Sequence, residues 1–203
     1  MYHSLEYLID FIFPPSPEAR AVRTLTPHDC SQLYQESQTN EVTALTDFSN
    51  YHVRALIHEA KFHGSVRAQK LLAGILDAYI MRHPRLLSAL WIPTSLSSLR
   101  IRMRGYNQVT EILRYTAGET TRLNILDHVL VRVRDTIPQT TLARDARIVN
   151  MRNAFAAKNP KLISGRDIVI LDDVTTTGAT LHAAKAALLP HGPASITLIA
   201  LAH

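Results

Sequence analysis

Cysteine is nearly absent from this chain of 203 residues, because Cys30 is its one example. A single thiol excludes an intramolecular disulfide, and without a CxxC pair the sequence offers no thiolate site for zinc. Several histidines, namely His28, His52, His58 and His63, do not fall at the spacing of paired metal ligands, and we interpret them as ordinary polar residues. We therefore expect no zinc and no other metal held by cysteine or histidine.

Long apolar runs and low-complexity segments are also missing. The longest apolar stretches fall well short of the roughly 20 residues that a membrane span requires. The first ten residues contain Glu6 and Asp10 and no basic cluster, so they do not resemble a secretory signal. With 46% hydrophobic and 19% charged residues, the composition is typical of a soluble globular protein, and we expect a cytoplasmic one.

Lysine is scarce, and arginine makes up most of the 22 basic residues in a chain of net charge +5. The planar guanidinium presents a fork of donors that suits phosphate oxygens, whereas lysine offers a point charge. Arg100, Arg102 and Arg104 alternate in the stretch "RIRMRGYNQ". An extended backbone would place all three on one face, where they could converge on one ligand. A solvated basic edge or a nucleic-acid contact is the alternative.

Hydrophobic periodicity predicts alternating helices and strands. Helices are predicted from Tyr51 to a stop at Gly64, from Ala68 to a stop before Pro84, and over "LEYLIDFI", "NQVTEILRYTAG" and "ATLHAAKAALL". Strands are predicted over "LSALWIP", "DHVLVRV", "DIVILDD" and "SITLIALA". This alternation indicates an α/β protein with a parallel sheet flanked by helices. Residues 16–50 are polar with little periodicity, so we predict an N-terminal extension over 1–50 and a main domain over 51–203.

Two adjacent carboxylates, Asp172 and Asp173, end a predicted strand directly before a turn and a helix. The backbone N–H groups of that turn and the helix dipole favour an anion, and Gly178 permits close approach. The turn adds hydroxyl groups from Thr175, Thr176, Thr177 and Thr180. The GxxxxGK loop of nucleotide hydrolases and the GxGxxG fingerprint of dinucleotide-binding proteins are both absent. The acids therefore suit the diol of a ribose 5-phosphate, with a helix cap beside a solvent-facing acid as the alternative.

These motifs together resemble a known family. "VILDDVTTTGATL" resembles the phosphoribosyl pyrophosphate (PRPP) signature of type I phosphoribosyltransferases. "RMRGYNQ", "LVRVRDTIPQTTL", "RIVNMRNAF" and "LIALAH" resemble the competence protein ComF branch of that family. The resemblance extends from Tyr51 to His203 and implies the type I phosphoribosyltransferase fold. "FIFPP" resembles the opening of ComF proteins, where a four-cysteine zinc finger usually follows, and the lone Cys30 implies that this finger is lost.

The resemblance also implies roles for individual residues. Asp172 and Asp173 would bind the ribose and, indirectly through PRPP, Mg²⁺. The 5′-phosphate would be held by Thr175, Thr176, Thr177, Gly178, Ala179 and Thr180. Pyrophosphate would be met by Pro93, Thr94, Ser95, Arg100, Arg102 and Arg104. The candidate catalytic residues are Arg104, Arg134 and Arg147, of which the last two lie in a stretch, 134–150, that resembles the loop closing over PRPP in related enzymes.

The implied function is the transfer of ribose 5-phosphate from PRPP to a nucleobase or another nucleophile, with Mg²⁺ and with release of pyrophosphate. The alternative is a non-catalytic PRPP-binding factor that works with DNA-uptake machinery. The N-terminal 50 residues could supply the hood that binds an acceptor, and the apolar stripe near the start could support a homodimer. Tyr106, His182 and His191 are candidates for a general base, each with a structural role as the alternative.

Overall fold

The computed structural model describes residues 14–96, 98–116, 122–133 and 154–203. Within these ranges the helices are α1 (Pro17–Thr24), α2 (Pro27–Leu33), α3 (Tyr51–Phe62), α4 (Val66–Arg82), α5 (Ser98–Arg104), α6 (Gln108–Tyr115) and α7 (Ala179–Leu188). The strands are β1 (Ser37–Thr39), β2 (Val42–Ala44), β3 (Leu90–Pro93), β4 (Asn124–Ile125), β5 (Leu130–Arg132), β6 (Phe155–Ala157), β7 (Asp167–Val174) and β8 (Ser195–Ala202). Short 3-10 turns cover Pro84–Ser88, Pro160–Leu162 and Leu189–His191.

The main sheet has six strands in the order β1-β2-β8-β7-β3-β4. All neighbours from β2 to β4 pair in parallel, and β1 joins β2 antiparallel at one edge. Successive residues of β7 face opposite sides of the sheet, so Val169 and Leu171 belong to one apolar core while Ile168 and Ile170 belong to the other. A mostly parallel sheet with helices on both faces confirms the predicted α/β class.

Helices α3 and α4 confirm the two predicted helical stripes. The side chain of Asn50 begins α3 by accepting hydrogen bonds from the N–H groups of His52 and Val53. The helix ends at Phe62, just before Gly64, whose φ of +62° is readily adopted by glycine. The predicted apolar positions of both helices are buried in one core.

The described part of the predicted N-terminal extension is regular in structure. A side chain caps each of its two helices, Ser16 for α1 and Thr26 in a capping box for α2. Strand β2 pairs with β8, and Arg67 of α4 donates hydrogen bonds to the backbone of Val22 and Leu25. The division predicted at residue 50 therefore runs through a continuous sheet and core. The "LEYLIDFI" segment lies outside the described residues.

The stretch "RIRMRGYNQ" is helical where an extended backbone was expected, so that expectation is wrong. Helix α5 runs to Arg104, Gly105 turns the chain with a φ of +79°, and Asn107 caps α6. Residues four apart share a helix face and residues two apart do not. Arg100 therefore lies on the same side of α5 as Arg104, while Arg102 projects elsewhere.

The segment "DHVLVRV" forms a strand, as predicted, but outside the parallel sheet. Its residues 130–132 make β5, which pairs antiparallel with β6 in a separate two-stranded sheet. In the described ranges, no helix combines the length and the apolar character that crossing a membrane would need.

Candidate functional site

The candidate site is a cleft of about 550 Å³ at the carboxyl ends of β3 and β7. Ligands of parallel α/β sheets bind beyond this edge, because the loops that lead from strands to helices gather there. The polar lining of the cleft includes Thr94, Ser95, Arg100, Gln108, Arg132, Asp172, Asp173, Thr176 and Thr180. The aromatic and apolar lining comes from α3 and its neighbours and includes Phe48, Tyr51, Ala55, Ile57, Phe62 and Leu96.

Asp172 is a buried acid whose environment disfavours its charge. It is 8% exposed, and its Oδ1 accepts a hydrogen bond of 2.7 Å from the Thr94 hydroxyl and one of 3.0 Å from the N–H of Asp173. Burial, followed by the neighbouring charge of Asp173, raises the pKa of Asp172 to about 6. At neutral pH the Asp172 carboxylate is therefore ionised although its surroundings disfavour the charge. A ligand that donates hydrogen bonds to this carboxylate would stabilise the charge.

Asp173 is equally buried but carries its own counter-charge. The ammonium of Lys61 lies 3.1 Å from Oδ2, and the Gln108 side chain donates a hydrogen bond of 2.6 Å to the same oxygen. Burial acts to raise the pKa of Asp173, but the charge of Lys61 and these hydrogen bonds outweigh it, so the pKa is lowered. The pair therefore combines one acid whose pKa is lowered with one whose pKa is raised to about 6.

The turn after β7 has a defined internal structure. Gly178 has a φ of +76° and stands at the start of α7 without a side-chain cap. Its N–H donates to the Thr175 hydroxyl at 3.0 Å, and the N–H of Ala179 donates to the Thr177 hydroxyl at 3.3 Å. Two of the backbone N–H groups that were expected to favour an anion are therefore hydrogen-bonded within the turn. Thr176 and Thr180 face the cleft with the two acids.

The loop after β3 lies beside the acids. The N–H of Thr94 donates to the carbonyl of Leu171, and the carbonyl of Thr94 accepts a hydrogen bond of 2.8 Å from the Asn107 side chain. The Ser95 hydroxyl donates to the carbonyl of Leu130, so β5 also anchors this loop. Thr94 and Ser95 line the cleft, whereas Pro93 is the last residue of β3.

The predicted arginine cluster is divided between different surroundings. Arg100 lines the cleft, but Arg102 lines a separate groove with Tyr106 and Thr110, so the expected convergence of three guanidiniums is wrong. Arg104 donates to Gln108 at 3.0 Å and lies 5.1 Å from the ring centre of Phe62. Burial lowers the pKa of Arg104, which Asp173 partly offsets. Arg134 and Arg147, with the stretch 134–150, lie outside the described residues.

The general-base candidates have structural contacts outside the acid pair. Tyr106 donates its hydroxyl proton to the carbonyl of Ala60 at 2.9 Å, and its ring packs on Gly64. His182 lies in α7 against Gly178, and His191 stands in the 3-10 turn that follows α7. The contacts of Tyr106 and His182 agree with the structural alternative for these two residues.

The sequence interpretation missed several residues of the cleft because they come from distant segments. Lys61 comes from α3 and lies in none of the quoted motifs. Arg132, at the end of β5, lies in the quoted stretch "LVRVRDTIPQTTL" but received no role. Gln108 was noticed within "RGYNQ" but received no role, although it contacts Asp173 directly. Helix α3 contains several other polar residues, so no local signal distinguished Lys61.

The fold and site agree with comparisons to known proteins. Residues 57–203 match the model of the phosphoribosyl transferase domain, and the chain belongs to that family. The match begins within α3 and includes the acid pair, the threonine turn and the loop after β3.

Two relatives support assignment of the chain to the ComF branch of the type I phosphoribosyltransferases. The DNA utilization protein YhgH of Escherichia coli O157:H7 is 30% identical over 146 residues, which cover 70% of this chain and 63% of that protein. Competence protein F of Haemophilus influenzae is 32% identical over 133 residues, which cover 63% of this chain and 57% of that protein. The chain thus spans less than two thirds of the length of these curated relatives. The predicted resemblance to the ComF branch is confirmed.

Proposed function

We propose that this chain binds PRPP and transfers its ribose 5-phosphate to a nucleophile, with release of pyrophosphate. The observation that carries the proposal is the buried pair of Asp172 and Asp173, which stands between the threonine turn of α7 and the loop after β3. Such a pair offers acceptors for two neighbouring ribose hydroxyls. Phosphate groups at either end of the sugar would then meet Thr176 and Thr180 on one side and Thr94 and Ser95 on the other.

The chain's own charges fit the anionic ends of this substrate. Arg100 and Arg132 line the same cleft as the acids, and guanidinium groups suit phosphate oxygens. Lys61 already compensates Asp173, so the cleft does not present two uncompensated acids to an anionic ligand. We assign the pyrophosphate to the part of the cleft that Thr94, Ser95 and Arg100 line. These residues lie close together in the sequence and offer two hydroxyl groups and a guanidinium.

The acid pair also fits a Mg²⁺ ion that is held mainly by oxygens of PRPP. Mg²⁺ prefers carboxylates, phosphates and water as ligands. Asp172 and Asp173 would orient the ion indirectly, through the ribose hydroxyls or water. When bound, the ion would neutralise charge on the departing pyrophosphate.

The proposed reaction is a substitution at C1 of the ribose. The bond from C1 to the pyrophosphate oxygen breaks, and its electron pair leaves with pyrophosphate. A lone pair of the nucleophile forms the new bond to C1, and the nucleophile loses its proton to water or a base. Arg100 and the hydroxyls of Thr94 and Ser95 would stabilise charge on the leaving group, a type of contact commonly worth about 3 to 4 kcal/mol.

The aromatic lining of the cleft suits a flat acceptor such as a nucleobase. Phe48, Tyr51 and Phe62 come from α3 and the residues before it, and Glu18 of α1 lines the same space. Aromatic rings stack favourably on planar ligands. These contacts support an acceptor site built partly from the first 50 residues.

The names of the relatives favour a second candidate, in which PRPP binding serves a DNA-related process without catalysis. One relative is named for DNA utilization and another for competence. A net charge of +5 suits proximity to DNA. In this alternative the cleft would act as a PRPP sensor.

A pyrophosphate-release assay separates the two candidates. The purified chain is incubated with PRPP, Mg²⁺ and single purine or pyrimidine bases. The catalytic proposal expects base-dependent release that is lost in the Asp172→Asn, Asp173→Asn double variant. PRPP binding without release for any base, together with DNA binding that weakens with salt, would favour the sensor. No PRPP binding by folded protein would contradict both.

A further inference from the structure

The C-terminal turn of α3 brings together two histidines and a glutamate outside the acid pair. One ligand atom from each of His58, Glu59 and His63 lies within 4.8 Å of the others. The Nδ1 of His63 is 3.0 Å from Oε1 of Glu59, and the Nδ1 of His58 is 3.9 Å from the same oxygen. The rings of His58 and His63 have centroids 5.3 Å apart. All three donors thus point toward one small volume.

Glu59 is a buried carboxylate whose recorded partners include both histidines. Glu59 is 6% exposed, and a buried carboxylate is stable only when it is paired and hydrogen-bonded. Its described partners are the two histidines and the hydroxyl of Ser16, which donates at 3.5 Å. The ion pairs recorded for the Glu59 carboxylate are those with His58 and His63.

His58 provides a second, independent observation. Its Nδ1 is buried and makes no hydrogen bond, and an unpaired buried nitrogen of this kind calls for a partner. An ion pair between His63 and Glu59 alone would leave this nitrogen unexplained. A ligand placed between the three side chains would satisfy His58 and Glu59 together.

We propose that His58, Glu59 and His63 bind a divalent transition metal ion of the Zn²⁺ class. Zinc takes imidazole nitrogen and carboxylate oxygen at about 2.0 to 2.2 Å, which places tetrahedral ligand atoms about 3.3 Å apart. The observed separations of 3.0 and 3.9 Å lie on either side of that value. Two imidazoles favour such an ion over Mg²⁺, which selects oxygen ligands. Three protein ligands leave a fourth position for water.

The sequence spacing conceals this site, so the metal was not expected from the sequence. His58 and His63 are five residues apart, and five residues do not share one face of a regular helix. The helix ends at Phe62, however, and His63 has cap geometry with φ −115° and ψ −2°. The end of the helix thus allows the His63 ring to meet its two partners.

The metal would fix the same helical turn that supplies Lys61 to the acid pair. Lys61 lies between Glu59 and His63 in the chain, and its ammonium is 3.1 Å from Asp173. Tyr106 already anchors the carbonyl of Ala60 in this turn. The ion therefore acts as a positioning element for Lys61, and His58 borders the cleft beside it.

Zinc binding to the metal-stripped full chain tests the proposal without PRPP. Zn²⁺ is titrated in competition with a chromophoric chelator, and Co²⁺ is added separately to record its visible absorption. We expect one tightly bound equivalent, Co²⁺ bands of a four-coordinate site, and no displacement by excess Mg²⁺. Loss of partners that merely orient metal ligands lowers affinity about 10- to 100-fold, so His58→Gln or His63→Gln should weaken binding at least tenfold.

The matched control is His52→Gln, an exposed histidine on the same helix that does not belong to the cluster. It should bind zinc like the wild type. No stoichiometric zinc uptake by the folded wild type would overturn the proposal, as would equal affinity in the wild type and both cluster variants. Should a variant fail to fold, the wild-type stoichiometry and Co²⁺ spectrum still decide. The outcome is independent of whether the cleft binds PRPP.

Discussion

Strands β7 and β8 are parallel neighbours of equal length, yet they end differently. Each has eight residues, and they pair in register so that Asp172 lies beside Ala200. Strand β8 fills this level of the sheet with buried apolar side chains, Ala200 and Leu201. Strand β7 fills it with two carboxylates.

The difference separates what folding requires from what a ligand requires. The apolar residues at the end of β8 pack in the core and bury no charge. Buried carboxylates are stable only with partners. Asp172 and Asp173 are paired with Thr94 from the loop after β3, Lys61 from α3 and Gln108 from α6. A costly feature that the neighbouring strand avoids is typical of a binding site.

The largest expected effect comes from making β7 chemically more like β8. The double variant Asp172→Asn, Asp173→Asn removes both charged acceptors from the ribose position. Hydrogen bonds to charged groups contribute about 1.5 to 3 kcal/mol each, so PRPP affinity should fall roughly 100- to 10,000-fold. Calorimetric titration measures the change. Asp167→Asn, at the exposed opposite end of β7, is the control and should leave affinity unchanged. Unchanged affinity in a folded double variant would remove the ribose assignment.

The second prediction is that Asp172→Asn stabilises the fold while it weakens the site. The pKa of Asp172 rises from 3.8 to about 6 in the folded protein, and one pKa unit corresponds to 1.36 kcal/mol. Because the folded state binds the proton more tightly than the unfolded state, the wild type loses stability as the pH rises from about 4 to 6. The variant should therefore be more stable at pH 7.5 by up to about 3 kcal/mol.

Urea denaturation at pH 7.5 and at pH 4 measures this difference. It should become much smaller at pH 4, where Asp172 is protonated in the folded protein and about half ionised in the unfolded chain, whose pKa is 3.8. Asp173→Asn is the matched variant, because it breaks the ion pair with Lys61 and should lower stability at pH 7.5. A loss of stability in Asp172→Asn that is equal at both pH values would contradict the raised pKa of Asp172.

A smaller effect is expected at the turn that follows β7. A Cβ on Gly178 would lie 3.0 Å from the His182 ring and 3.2 Å from Val42, at a φ of +76°. Gly178→Ala should lower the free energy of unfolding by about 1 to 2 kcal/mol and also weaken PRPP binding. Gly165 has a similar φ of +68°, but a Cβ there would meet no atom within 4 Å. Gly165→Ala is therefore the control, because it introduces the backbone strain without the steric contacts. Equal PRPP affinity in both variants would argue against the phosphate role of this turn.

The smallest predicted effect distinguishes the two sides of α5. Arg100 lines the cleft and Arg102 lines another groove. Arg100→Gln should weaken PRPP binding about tenfold, because one charge-assisted contact is lost. Arg102→Gln should change it less than about threefold. Comparable losses in the two variants would indicate that both arginines contact PRPP, and a larger loss in Arg102→Gln would contradict the assignment of Arg100 to the site.

The sequence predicted the centre of this molecule better than its periphery. Strand β7, the threonine turn and α7 were predictable because an apolar run, two acids and a helical stripe follow one another directly. Helices α1 and α2 were missed because their capping residues, Ser16 and Thr26, stand in a polar segment with few apolar positions. The backbone of α5 was mistaken because alternating arginines fit a strand as readily as a short helix.

Contacts between distant segments were beyond the reach of local patterns. Lys61 meets Asp173 across more than 100 residues of sequence, and only the packing of α3 beside β7 brings them together. The histidine cluster depends on where α3 ends, which spacing alone does not reveal. Both features required the three-dimensional fold.

The most direct test of the central claim is a calorimetric titration of the full chain with PRPP, with and without Mg²⁺, using ribose 5-phosphate as the control ligand. Tight binding that prefers PRPP and depends on Mg²⁺ is the predicted result, because the loop after β3 and Arg100 would then contact pyrophosphate. Absence of PRPP binding by the folded protein, or equal binding of ribose 5-phosphate, would contradict the account of the cleft at the end of β7.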